Sequence, residues 1–142
     1  MTIQRLMLFY TCCHNDHLVI PMLEHGTFEL KLHGRVLHSF PRGSFNRPGL
    51  LRYRQALLLA AAKLSGWILY EHAGNEAALT SEALPELIET YRQAEENGCI
   101  GIACDVGPLF RDLIQAQALG KLQIPLLLSD KASEIESFIS GL

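Results

Sequence analysis

From Trp67 onward, short apolar runs alternate with longer stretches of helical periodicity. WILYEH, CIGIACDV and IPLLL read as strands, and TSEALPELIETYRQAEENG, PLFRDLIQAQALG and KASEIESFISGL read as helices between and after them. The nearly continuous apolarity of WILYEH is the pattern of a parallel strand buried on both faces. Leu84, Leu87, Ile88, Tyr91 and Ala94 form one inner stripe. Phe110, Leu113, Ile114 and Ala118 form a second, and Ile135, Phe138 and Ile139 a third, each at the spacing of a core-facing helix surface. Pro85 and Pro108 open two of these helices, Gly98 and Gly120 stop them, and Asp130 is placed to cap the last. Strand–helix alternation at this spacing predicts a parallel sheet with right-handed crossovers.

Upstream, FELKL and RVLHSF each alternate apolar and polar positions around His33-Gly34, which predicts a β-hairpin. Pro41, Gly43 and Asn46 mark a loop, after which Asn46 or Arg47 starts a helix with Pro48 in its first turn. Leu50, Tyr53, Leu57, Ala61 and Leu64 make its inner stripe and Gly66 ends it, while AGNEAALTS after the next strand reads as loop. The fold class is therefore α/β: a hairpin followed by alternating helices and parallel strands in one mixed sheet. Residues 26–142 form this domain. Residues 1–25 are an N-terminal extension or extra strands, with LMLFY and LVIPML as the candidates.

Composition narrows the function. The 142 residues fit one domain, and an apolar fraction of 49% supplies a substantial core. The formal net charge is −3, and Arg42, Arg47, Arg52 and Arg54 are spread over a loop and a helix. Nucleic acid is not an expected partner, because its binding rests on dense phosphate neutralisation. No apolar run reaches the ~18 residues of a membrane span, and the start lacks a signal-peptide core. The expected location is the cytoplasm. Cys99 and Cys104 in a strand behave as small hydrophobes, consistent with a reducing compartment.

The stretches GTFELKLHGRVL, RGSFNRPGLLRYRQAL, GWILYEH with LTSEALPEL, and IPLLLSDKASEIESFI together resemble the STAS domains of SpoIIAA-like anti-anti-sigma factors, in an uncharacterised bacterial branch. The resemblance covers about residues 26–142. It implies a small cytoplasmic regulatory or protein-interaction module without catalysis or cofactor, meeting a protein partner through the helix after the third strand. That family carries a phosphorylatable serine in an Asp-Ser-x-Gly-like turn before this helix. Here the corresponding turn reads Leu79-Thr80-Ser81-Glu82-Ala83, lacking both the Asp and the Gly. Thr80, Ser81 and Glu82 are accordingly the candidate partner-binding or phosphorylation residues. A helix N-cap is the simpler role for either hydroxyl. The apolar first helix also allows a homodimer.

Other chemistry is weaker. Cys12-Cys13-His14-x-x-His17 holds four potential ligands, but adjacent cysteines strain a tetrahedral ion, so no metal is expected there. His25, His33 and His38 flank the hairpin and read as surface or turn residues. A small apolar ligand, by kinship with SEC14-like domains, is the alternative function, with Tyr53, Trp67, Tyr91 and Phe110 as the possible pocket. A hydrolase-type enzyme using Cys104 activated by His72 is the third. It requires the two side chains within reach of each other.

Overall fold

The computed structural model of the chain describes residues 2–3 and 23–142. A short strand β1 (Thr2–Ile3) precedes the hairpin of β2 (Phe28–His33) and β3 (Val36–Ser39). Then come β4 (Gly43–Phe45), α1 (Arg47–Ala60), β5 (Trp67–Gly74) and β6 (Ala77–Leu79). The chain closes with α2 (Leu84–Glu96), β7 (Cys99–Val106), α3 (Pro108–Ala118), β8 (Leu126–Ser129) and α4 (Ala132–Ser140). Six strands form a mixed sheet in the order β1-β2-β3-β5-β7-β8, and β4 and β6 form a separate parallel pair. The first two pairings are antiparallel and the β3-β5-β7-β8 pairings are parallel. The expected hairpin and crossover sheet are both present. The candidate strand LMLFY and the Cys12, Cys13, His14 and His17 cluster lie outside the described residues.

Strand alternation decides which side chains meet the helices. Phe28, Leu30, Leu37, Trp67, Leu69, Ile102, Cys104 and Leu128 point to one face. There they join Leu50, Tyr53 and Leu57 of α1, Leu87 and Tyr91 of α2 and Ile114 of α3 in one continuous core. Trp67 and Tyr91 are its largest fully buried side chains. The opposite face is covered only in part. Helix α4 packs on β7 and β8, and Gly101 leaves room there for Leu142, whose Cδ1 would meet any added Cβ. The Arg35 guanidinium donates to the Leu142 carbonyl at 2.7 Å and ties the chain end to the hairpin.

Local chemistry explains most boundaries and corrects several expectations. The Asn46 side chain caps α1: its Oδ1 accepts from the N–H groups of Gly49 and His25, each at 3.0 Å. Its Nδ2 donates to the Leu23 carbonyl at 2.8 Å. Helix α1 ends at Ala60, before Leu64 and well before Gly66. Gly98 follows the α2 C-cap with a φ of 94°, as a C′ glycine should. No side chain caps α2, whose N-cap is Ala83, so the capping role read for Thr80 and Ser81 is not realised. Asp130 likewise does not cap α4. Ser129 Oγ does the local work, accepting from the Lys131 N–H at 3.0 Å and donating to Glu134 at 2.7 Å. The AGNEAALTS loop contains β6, paired with residues 43–45 of the other presumed loop.

Candidate functional site

The parallel strands run their carboxyl ends toward one edge of the domain, where the β4–β6 pair folds over the sheet. Strand β5 ends at Gly74 (φ 51°), and a tight turn closed by the Glu76 N–H on the Ala73 carbonyl at 3.0 Å leads into β6. Between this pair and the starts of α2 and α3 lies an apolar cleft with a volume of about 50 Å³. Phe45, Leu79, Leu87, Val106, Phe110 and Ile114 form its walls, and Tyr53, Glu71 and Cys104 its floor. Beside it, α3 turns Leu109 and Leu113 outward, 69% and 43% exposed, one helical turn apart. Leu113 was expected in the inner stripe of α3. Ile114 and Ala118 of the same stripe are buried as expected, and Leu113 alone turns out to solvent.

The turn into α2 adjoins the cleft. The Thr80 N–H donates to the Phe45 carbonyl at 2.9 Å, and the Thr80 carbonyl accepts from the Ala83 N–H at 3.0 Å. Thr80 Oγ1 is buried and is the one such side-chain atom without a hydrogen-bond partner among the described residues. Ser81 and Glu82 are exposed. One turn into the helix, Glu86 accepts from Arg54 at 2.6 Å and from Arg47 at 2.8 Å. These hydrogen bonds, that of Arg54 foremost, hold its carboxyl below the usual range.

Beneath the cleft sits a buried carboxyl. Glu71 accepts from the hydroxyls of Tyr53 and Tyr91, one on each oxygen, and Tyr53 is linked in turn to Ser39 Oγ at 2.8 Å. Because the Tyr53 proton goes to Glu71, Ser39 is the donor in that link. Burial pushes the Glu71 carboxyl up, against the lowering effect of the two tyrosines. Burial also pushes both tyrosines well above their ordinary value, with the Glu71 charge adding to it. Cys104 lies on the same floor, its thiol pushed well up by burial first and by Glu71 second.

His72 follows Glu71 on β5 and therefore faces the other side of the sheet. The structure does not bring Cys104 to His72: one lies on the helix-covered face and the other on the open face. The nucleophile pairing read from the sequence lacks its geometry, and a thiol held protonated is a poor nucleophile.

On the open face, beside the strands that α4 covers, four rings collect. His38 Nδ1 lies 2.9 Å from His72 Nε2. The His72 ring stacks on Tyr70 at 3.8 Å between centroids and on Phe40 at 4.4 Å. Burial, then His38 and then Arg42, lower His72 to about 4. Burial and His33 lower His38 as well. His38 is thus not a turn residue but a half-buried strand residue paired across the sheet, with Tyr70 as its register partner on β5. The even spacing of Tyr70 and His72 in WILYEH was the signal for one face, and that of Trp67, Leu69 and Glu71 for the other.

The four aromatic residues proposed as a ligand pocket divide. Tyr53 and Phe110 line the cleft. Tyr91 is sealed beneath it on Glu71, and Trp67 is a core residue whose indole N–H donates to the Asn97 carbonyl at 2.9 Å.

No family model matches the chain, and no curated protein does. Among solved structures it is similar to the crystal structure of an anti-sigma factor antagonist from Mycobacterium paratuberculosis. The two share 22% identity at a TM-score of 0.57, over 81% of this chain and 94% of that one. At that identity the likeness speaks for the fold. The chain has the STAS-like fold that its sequence resembles, a mixed sheet of mostly parallel strands with, among the described residues, four helices. Among the described residues, no helix is long and apolar enough to cross a membrane.

Proposed function

We propose that the protein is a small regulatory module that binds a protein partner at the carboxyl edge of its sheet, around residues 80–82 and the outer face of α3. The carrying observation is the exposed pair Leu109 and Leu113 beside a small apolar cleft whose walls include Leu79 and Phe110. A shallow apolar recess rimmed by exposed leucines suits one anchoring side chain from a partner. The fold neighbour, an anti-sigma factor antagonist, supports a regulatory role of this kind. Ser81, exposed in the turn, is the better phosphate acceptor of the two hydroxyls, since Thr80 Oγ1 is buried. A phosphate there would meet the α2 N-terminus favourably and Glu82 unfavourably.

The small-ligand reading has less support. Ligand pockets usually measure about 300–1,000 Å³, and this cleft holds about 50 Å³. Self-association through α1 also has little to bury, with Leu59 its one strongly exposed apolar side chain.

A photo-crosslinking amino acid placed at Ser81, Leu109 or Leu59 in cells tests the site. A discrete protein adduct from the first two positions and none from Leu59 is expected. Equal adducts from all three, or none, overturn the reading. Intact mass of freshly purified protein reports phosphate and any retained small molecule in the same preparation.

A further inference from the structure

The His38–His72 pair lies away from the cleft and owes nothing to the partner-binding reading. Two imidazole nitrogens bound to one ion at about 2.0–2.1 Å, at angles between square and tetrahedral, lie about 2.9–3.4 Å apart. His38 Nδ1 and His72 Nε2 are 2.9 Å apart. They come from adjacent parallel strands, positions on a sheet that the backbone holds firmly. His72 packs against Tyr70 and Phe40, at interplanar angles of 17° and 16°. Helix α4 covers β7 and β8 instead, so both rings remain half-exposed and reachable from solvent.

We propose that His38 and His72 form a two-imidazole site for a late first-row divalent cation, of the class of Ni²⁺, Cu²⁺ or Zn²⁺. Imidazole is a preferred ligand for these ions, whereas Mg²⁺ and Ca²⁺ take oxygen. Among the described residues no third His, Cys, Asp or Glu completes the set, so water fills the remaining positions and the site is an open one. Charges of both signs surround it: Arg42 bears on His72 and Lys31 lies 5.6 Å from the Phe40 ring centroid, while Asp105 and Glu136 act on Tyr70. Arg42 pairs with Glu76 at 2.8 Å, and Lys31 with Glu29 at 3.6 Å. Asp105 is the register partner of His72 on its other side. It adds a negative charge on the same face. The site requires one rearrangement: the donor ring of the pair moves its proton to its other nitrogen, and both rings tilt so that the two free lone pairs meet at the ion.

Calorimetric titration of the full chain with Ni²⁺, alongside H38Q and H72Q, tests the assignment. One binding event should weaken about tenfold or more in each variant. Titrations that superimpose on the parent overturn it and move any binding to another part of the chain. A second measurement does not depend on the variants folding. Paramagnetic Ni²⁺ should broaden the Tyr70 and Phe40 ring resonances of the unaltered protein at sub-stoichiometric amounts. Sharp signals from both rings at full equivalence would overturn the site.

Discussion

Glu71 and His72 are neighbours in sequence, yet they inhabit two different kinds of surroundings. Glu71 points into the helix-covered face, where it is 4% exposed and both oxygens are held by tyrosine hydroxyls. His72 points to the open face, where its polar contact is a single hydrogen bond with another half-exposed imidazole. A one-residue step along a strand moves a side chain from one face to the other. The same strand therefore serves a closed, fully partnered polar cluster on one side and a reachable one on the other. A partly satisfied polar group is costly inside and cheap at the surface. The inner cluster is accordingly committed to structure, and the outer one is free to take a ligand.

The largest test of this contrast is Glu71→Ala. It leaves two buried tyrosine hydroxyls without their acceptor and opens a cavity, at a cost of about 3–5 kcal/mol. His72→Ala removes one hydrogen bond and a half-exposed stacking partner, at a cost of about 1 kcal/mol. Denaturant unfolding at constant m-value measures both. Equal losses would erase the distinction between the faces.

The pH dependence sharpens it. The folded state holds the Glu71 carboxyl above its ordinary value because burial outweighs the tyrosine hydrogen bonds. As pH rises from the ordinary carboxyl range, the unfolded chain loses this proton first. Stability from this group is therefore greatest at low pH and falls until the folded value is passed. Glu86 works the other way. Arg54 and Arg47 lower it, so its contribution is present above the ordinary range and fades as pH falls. The stability difference between the parent and E71Q should shrink with rising pH across the weakly acidic range. A difference independent of pH would mean that Glu71 titrates alike in both states. The amide of E71Q faces a tyrosine that must reorient, so a loss of about 1–2 kcal/mol at low pH is expected.

Asn46→Ala tests a connection shared by neither face. It removes the α1 cap and both bonds to the segment at Leu23 and His25, and should cost about 1–2 kcal/mol. A smaller loss would show that the Leu23 and His25 bonds add nothing to the cap.

The sheet was legible in the sequence because apolar runs, glycine stops and prolines all agreed, and the hairpin was legible from alternation alone. Other features could not be read the same way. Strand β6 is only two alanines and a leucine, Ala77–Leu79, with little strand propensity of its own, and exists because β4 offers it a parallel edge. Leu113 was grouped with Ile114 and Ala118 in the inner stripe of α3, and only the position of α2 and β8 shows that their cover stops short of it. The turn at Thr80 was correctly located, but its hydroxyls looked like caps because nothing in the sequence shows that Ala83 ends up as the N-cap. The His38–His72 pair joins strands separated by a whole helix, so its distance is set by register rather than by spacing. Glu71 was the most readable miss: it shares the parity of Trp67 and Leu69, and a carboxyl in that row needs donors from the helices above.

The smallest effect, and the one whose sign says most, is expected from T80V. Thr80 Oγ1 is buried without a partner, and burying an unpaired hydroxyl costs about 1–3 kcal/mol. A methyl group of nearly the same shape removes that penalty, so T80V should leave stability unchanged or raise it by up to about 1 kcal/mol. Neither face of the sheet is touched, since the turn is held by the main-chain bonds of Thr80 to Phe45 and Ala83. A loss above about 1 kcal/mol would mean that the hydroxyl is paired in solution and that the turn carries a further hydrogen bond. If instead stability rises while the crosslinked adduct at Ser81 disappears, the hydroxyl is held unpaired at a cost to the fold, and the partner is what satisfies it.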